Sequence, residues 1–104
     1  MTRIEFFTEN GLLSGVRVCG HSGYAEEGED IVCAAISSAL RLAECELTDV
    51  LKLDTNVSVK KNGADISVKV RGDLIKAQSS LTALRMYYTE LANEFPKNIK
   101  LLEV

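Results

Sequence analysis

The chain has 104 residues, of which 46% are apolar and 26% charged, with a formal net charge of −3 and a pI of about 5.1. This length and composition predict one soluble domain spanning residues 1–104. The acidic balance argues against broad contact with nucleic-acid phosphates, and no run approaches the roughly 20 apolar residues of a membrane span. Charged residues interrupt the N-terminal stretch, so it does not read as a signal peptide. We therefore expect a cytoplasmic protein with no membrane partner and no direct nucleic-acid partner.

The three cysteines, Cys19, Cys33 and Cys45, show no CxxC spacing. In a reducing compartment an odd number of cysteines without metal-ligand spacing is typical of free thiols. We expect Cys19 and Cys45 to be ordinary core or surface thiols.

The first 19 residues predict a β-hairpin. Residues 3–8 are β-branched and aromatic, with Ile4 and Phe6 on one face, and residues 12–19 form a second alternating run. Asn10 and Gly11 between them tolerate the positive φ of a tight turn. Gly15 interrupts the second strand and suggests a bulge.

A helix is predicted from Ile31 to Leu51, after a glycine-containing acidic loop. Asp30 is suited to the N-cap. The first three turns are apolar over most of their circumference and rich in alanine and serine. A helix with this pattern is usually buried, so we expect this helix to form the centre of the fold.

The second half of the chain repeats the order of hairpin and helix. Residues 56–61 and 64–71 alternate as strands, and Asn62-Gly63 predicts a type I′ turn between them. Residues 74–94 have helical apolar spacing, Pro96 ends the helix, and residues 98–104 can form a last strand. The fold class is therefore α+β, with the order ββαββαβ and an antiparallel or mixed sheet packed with two helices. The apolar positions expected to supply a sheet face for the first helix are Val57, Val59, Ile66, Val68 and Val70.

His21 and Cys33 are the candidate catalytic pair. His21 is the one histidine of the sequence and Cys33 follows twelve positions later, in the predicted first helical turn. Unpaired N–H groups and the helix dipole favour a thiolate there, the same N–H groups could hold an oxyanion, and an imidazole can act as its base. From the residues alone, Cys33 could equally be a small buried hydrophobe and His21 a loop or capping residue. The acids of the loop could simply be solvated, and their spacing is weak evidence for a metal.

The stretch from Gly20 to Leu40, GHSGYAEEGEDIVCAAISSAL, resembles the signature of the ribosomal-processing cysteine proteases, the Prp family. The shared pattern is Gly-His, a short variable loop, then Asp-Ile-Val-Cys-Ala-Ala followed by Ser, with Ser22 where the pattern favours Ala. The resemblance implies a cytoplasmic, homodimeric endopeptidase without a cofactor, which removes the N-terminal extension of ribosomal protein bL27. It implies that His21 is the base, Cys33 the nucleophile, and Asp30 and Ser37 supporting residues.

The same resemblance implies that the loop between His21 and Cys33 contacts the substrate. Glycines would let it open and close, acids would attract a basic ribosomal protein, and Tyr24 would pack on an aromatic side chain. The residues expected to contribute are Gly20, Ser22, Gly23, Tyr24, Glu26, Glu27, Gly28 and Glu29. The alternatives are a non-enzymatic ribosome-associated protein that docks a basic protein tail on this loop, and a structural module in which Cys33 only fills the core.

Overall fold

The computed structural model describes residues 1–20 and 30–103, and the side chain of Asn62 lies outside the described part. The strands are β1 (Thr2–Glu9), β2 (Leu12–Cys19), β3 (Asp54–Lys60), β4 (Asp65–Arg71) and β5 (Ile99–Glu103). The helices are α1 (Ile31–Cys45), which continues into a π-helical turn (Glu46–Val50), and α2 (Leu74–Glu94). The predicted order ββαββαβ and the α+β class are confirmed.

The five strands form one mixed sheet in the order β3-β4-β2-β1-β5. Three of the pairings are antiparallel, and β1 with β5 is parallel. Because side chains alternate across a strand, one face of the sheet carries the apolar residues and both helices pack on it. The core includes Ile4, Phe6, Val16, Val32, Ile36, Val68, Leu81 and Tyr88. Neither described helix is long and apolar enough to cross a membrane.

The first hairpin forms as predicted. Asn10 and Gly11 have φ values of 54° and 80°, and Glu9 lies opposite Leu12. The register then shifts, since Phe7 pairs with Gly15 while Thr8 pairs with Leu13, which places the predicted bulge beside Gly15. A Cβ at Gly15 would lie 2.6 Å from the carbonyl oxygen of Val68, so only glycine lets β4 approach this closely.

Helix α1 begins at Ile31 as predicted, but its burial is one-sided. Val32, Ile36 and Leu40 are buried against the sheet, while Ser38 and Leu42 on the outer side are exposed. The prediction of a helix buried nearly all round was wrong for the outer side, because both helices lie in one layer and solvent meets that layer. The regular α-helix also ends at Cys45, six residues earlier than expected.

The predicted two-residue turn at Asn62-Gly63 was wrong. The last strand pair is Lys60 with Asp65, and a 3-10 turn (Lys61–Gly63) plus Ala64 connects the strands. Positive φ occurs at Lys61 (54°) and Gly63 (88°). The carbonyl of Ala64 accepts a hydrogen bond from the N–H of Gly20 at 2.6 Å, on the β2 side of β4. It is therefore not directed at Lys61, as the closing pair of a two-residue turn would require.

The valines of β3 also depart from expectation. Val68 and Val70 on β4 are buried, but Val57 and Val59 on the edge strand β3 are 39% and 61% exposed. All four face the helical side of the sheet, as the register requires. The helical layer therefore stops short of this edge.

Helix α2 matches the prediction closely. Asp73 caps it by accepting a hydrogen bond from the N–H of Lys76. The hydroxyl of the fully buried Tyr88 donates to the carbonyl of Ile36 at 2.6 Å and so ties α2 to α1. Burial raises the pKa of Tyr88, so this phenol stays protonated and keeps donating.

Candidate active site

Asp30 fixes the start of the helix that carries Cys33. Its buried carboxylate accepts hydrogen bonds from the N–H groups of Val32 (2.9 Å) and Cys33 (3.1 Å). This is the N-cap geometry expected from the sequence. Cys33 is thereby held as the third helical residue, half-buried, at the positive end of the α1 dipole.

The same cap corrects the predicted oxyanion site. Two of the first-turn N–H groups point to the Asp30 carboxylate, and the N–H of Ala34 donates to the Asp30 carbonyl at 3.1 Å. These three donors are occupied and do not form a ready oxyanion hole. The positive end of the α1 dipole therefore lies beside Cys33, while these three N–H groups are not available to a substrate.

A cavity of about 200 Å³ lies beside Cys33. It is bounded by α1, by the start of β1, by the end of β2 and by the turn between β3 and β4. Most of its lining residues are aliphatic or glycine, and Thr2, Cys33 and Ser37 supply the polar side chains. Its lining consists of Thr2, Val18, Gly20, Cys33, Ile36, Ser37, Leu40, Gly63, Ala64 and Ile66. The structure thus brings together Cys33, Ser37 and Gly20, three of the predicted site residues.

Ser37 lies one turn after Cys33 on α1 and is exposed at the edge of the cavity. Residues four apart on a helix share a face, so its hydroxyl is presented on the same side as the thiol. Its position agrees with the supporting role expected for it, and that role remains a prediction.

Gly20 is required by the backbone. Its φ is 90°, and a Cβ there would lie 2.8 Å from the carbonyl oxygen of Met1. Its N–H donates to Ala64, so the end of β2 is tied to the turn that forms the cavity rim. The backbone conformation at Gly20, immediately before His21, is therefore fixed by its neighbours.

Several predicted site residues lie outside the described part of the chain, and their roles stay predictions. They are His21, Ser22, Gly23, Tyr24, Glu26, Glu27, Gly28 and Glu29. The pairing of His21 with Cys33 is therefore still inferred from the sequence. Within residues 1–20 and 30–103, no cluster of three potential metal ligands is present.

Arg17 and Asp65 brace the strands that lead to the site. Arg17 donates from Nε to Oδ1 (2.9 Å) and from Nη2 to Oδ2 (2.8 Å), a bidentate pair between β2 and β4. This hydrogen bonding with Arg17 lowers the pKa of Asp65, so the carboxylate stays ionised near neutral pH. The pair lies on the sheet face away from the helices, with the Cys19 sulfur 4.0 Å from Arg17 Nη2. Neither Cys19 nor the exposed Cys45 lines the cavity.

Sequence reasoning missed Thr2. It is only 1% exposed and lines the cavity, and its hydroxyl has no hydrogen-bond partner among the described residues. A threonine at the start of a strand gives no local signal of such a position. Only the packing of α1 over the end of the sheet reveals it.

Comparisons with known proteins give the family and the fold. A family model described as cysteine protease Prp matches residues 1–100, and among curated proteins none matches the sequence. A crystal structure of the ribosomal processing protease Prp from S. aureus, with a covalently linked product peptide, superposes with a TM-score of 0.92 at 22% identity over 100% of both chains. The same protease with a substrate peptide gives 0.86 at 20% identity, again over 100% of both chains. SMU.848 from Streptococcus mutans gives 0.87 at 24% identity over 100% of this chain and 94% of that one.

These structural likenesses establish the shared fold. The family model covers nearly the whole chain and includes the segment with Asp30, Cys33 and Ser37. The chain belongs to the cysteine protease Prp family.

Proposed function

We propose that this protein removes the N-terminal extension of ribosomal protein bL27 by cysteine-dependent cleavage of one peptide bond. The observation that carries the proposal is the position of Cys33, half-buried at a capped helix start and opening on a cavity. Family membership supports the chemistry, and the peptide complexes of the S. aureus protease support a ribosomal-protein peptide as substrate.

The proposed reaction has two steps. His21 takes the proton of Cys33, the thiolate attacks the scissile carbonyl carbon, and the amine leaves with the proton from His21. The resulting thioester is hydrolysed by a water that His21 deprotonates, which returns the thiol. Both steps need Cys33 to be reachable by the peptide, and its partial exposure beside the cavity supports this.

Asp30 and Ser37 are positioning residues in this proposal. Asp30 fixes the helix start and hence the place of the sulfur, through its bond to the N–H of Cys33. Ser37 offers a hydroxyl at the cavity edge, where it can hold the substrate backbone. Glu26, Glu27 and Glu29 would attract a basic protein, and Tyr24 would meet an aromatic residue of the segment before the cut.

The test compares two cysteine variants on a synthetic peptide that spans the extension and the cleavage site. Cys33→Ala should abolish cleavage, a drop of at least about a thousandfold in kcat/KM, as loss of an active-site nucleophile does. Cys45→Ala, which removes an exposed thiol outside the cavity, should cleave normally. Mass spectrometry reads the products. Binding of the intact peptide without cleavage by the wild type would instead favour the docking-protein alternative.

We also propose that two copies pair as a homodimer in the cytoplasm. A groove of about 600 Å³ lies between α1 and α2 and is lined mainly by alanine and serine. Leu42 borders it and is 73% exposed. A protruding leucine beside a groove of small residues is self-complementary, as a twofold interface requires. Sedimentation velocity should give twice the monomer mass for the wild type and the monomer mass for Leu42→Glu.

A further inference from the structure

The edge strand β3 presents an apolar surface that no described element covers. It is the outermost strand on its side of the sheet, so one row of its backbone N–H and C=O groups has no neighbouring strand. On the helical side of this strand Val57 and Val59 are 39% and 61% exposed. We call the surface formed by Val57, Val59 and the unpaired backbone edge of β3 the β3 shelf.

The shelf is continuous with the wall of the cavity beside Cys33. Val59 pairs with Ile66 on β4, and Ile66 in turn pairs with Val18 on β2. Ile66 and Val18 both line the cavity that contains Cys33. One row of side chains across three strands therefore begins inside the cavity and ends on the exposed edge.

This exposure differs from that of an ordinary surface valine. Exposed apolar side chains on a free strand edge invite pairing with another extended chain, and sheets usually protect such edges with charges. Here the charges stand at the ends of β3, at Asp54 and Lys60, while the middle presents the two valines. A free edge with alternating apolar side chains is the surface that an extended peptide binds by strand addition.

We propose that the β3 shelf binds an extended segment of the substrate, which pairs with the backbone of β3 and places alternate apolar side chains beside Val57 and Val59. This inference rests on the proposed function, because it gives the binding surface of that same substrate. Backbone pairing supplies affinity that does not depend on sequence, and the valines select apolar residues at every second position.

The strand spacing sets the distance between this segment and the cut. Neighbouring strands lie about 4.8 Å apart, so an added strand is roughly 15 Å from Val18, which lines the cavity two strands inside β3. An extended residue spans about 3.3 Å. About four to five extended residues therefore span the distance from the shelf to the cavity wall at Val18, and this part of the chain passes over the rim at Gly63 and Ala64.

The test combines shelf variants with two peptide lengths. The double variant Val57→Thr and Val59→Thr keeps β-branched side chains but makes the shelf polar. For a long peptide, KM should rise about fivefold with little change in kcat, since only apolar contact is lost. For a peptide cut back to three residues on each side of the scissile bond, wild type and double variant should be indistinguishable. Val50→Thr, at a 69% exposed valine on the π-helical turn, is the matched control and should behave as wild type.

Three results would overturn the proposal. One is an unchanged KM for the long peptide. Another is an equal loss on both peptides, which would mean that the variant damages the cavity. The third is a change in sedimentation mass, which would make the shelf an interface between copies. If the wild type cleaves neither peptide, the proposed function fails, and fluorescence anisotropy of the labelled long peptide on Cys33→Ala, with and without the shelf substitutions, still tests the shelf.

Discussion

Helix α1 separates two cavities that differ in both size and chemistry. The outer groove between α1 and α2 has about three times the volume of the inner cavity, about 600 Å³ against 200 Å³. The groove is lined by alanine, serine and leucine, with Glu46 and Tyr87 as its ionisable side chains. The smaller cavity holds Cys33, a capped helix start and Ser37. Under the proposed function, the comparison teaches that the position of the nucleophile, and not the cavity volume, locates the site.

The two cavities also share a feature that makes them comparable experimentally. Each is lined by a buried hydroxyl without a hydrogen-bond partner among the described residues: Thr2 in the inner cavity and Ser80 in the outer groove. Variants can therefore be matched across α1.

The largest effect is expected at Gly20, in the wall of the inner cavity. Gly20→Ala forces a side chain into positive φ and against the Met1 carbonyl at 2.8 Å, which should cost about 3 kcal/mol of unfolding free energy. Gly11→Ala has a similar φ with nothing within 4 Å and should cost about 1 kcal/mol. Urea denaturation measures both. Equal losses would show that the contact with Met1 is not a constraint.

Filling each cavity tests which one the substrate uses. Ala64→Leu places a larger side chain at the rim of the inner cavity and should lower kcat/KM about tenfold, mainly through KM. Ala83→Leu fills the outer groove by the same change and should leave kcat/KM within about twofold. Thermal unfolding by circular dichroism checks that both variants fold. A larger loss of kcat/KM for Ala83→Leu than for Ala64→Leu, with the sedimentation mass of Ala83→Leu unchanged, would reverse the assignment of the two cavities.

The smallest effect concerns the two buried hydroxyls. Thr2→Val and Ser80→Ala each remove a hydroxyl that has no partner among residues 1–20 and 30–103, so each should raise the unfolding free energy by up to about 1 kcal/mol. Chemical denaturation gives the values, and Ser80→Ala should also leave cleavage unchanged. A destabilising Thr2→Val would contradict this expectation.

The start of α1 was predictable because its determinants are local. An aspartate before an apolar run fixes a helix start, and this places Cys33 at the third helical position without any knowledge of the rest of the fold. The same reasoning could not show that the Asp30 carboxylate would occupy the N–H groups of Val32 and Cys33. The predicted oxyanion donors were lost to the cap that the sequence also predicted.

What failed depended on distant packing. The alternation of apolar and polar residues predicted that Val57 and Val59 face the helices. It could not predict that the helical layer ends before the edge strand and leaves both valines exposed. The Asn62-Gly63 pair favoured a two-residue turn, in which Ala64 would pair with Lys61. The carbonyl of Ala64 instead accepts a hydrogen bond from Gly20 on β2, which the local sequence could not predict. Thr2 lines the cavity because α1 packs over the end of the sheet, and the local sequence around Thr2 does not indicate this packing.

The central claim is that Cys33 is the reactive thiol of the three, and alkylation rates test it directly. The folded protein is treated with substoichiometric iodoacetamide and the modified peptides are followed over time by mass spectrometry. The helix-start position of Cys33 predicts that it reacts faster than Cys19 and Cys45, even though Cys45 is the more exposed. Rates that follow exposure alone, with Cys45 fastest, would contradict the account.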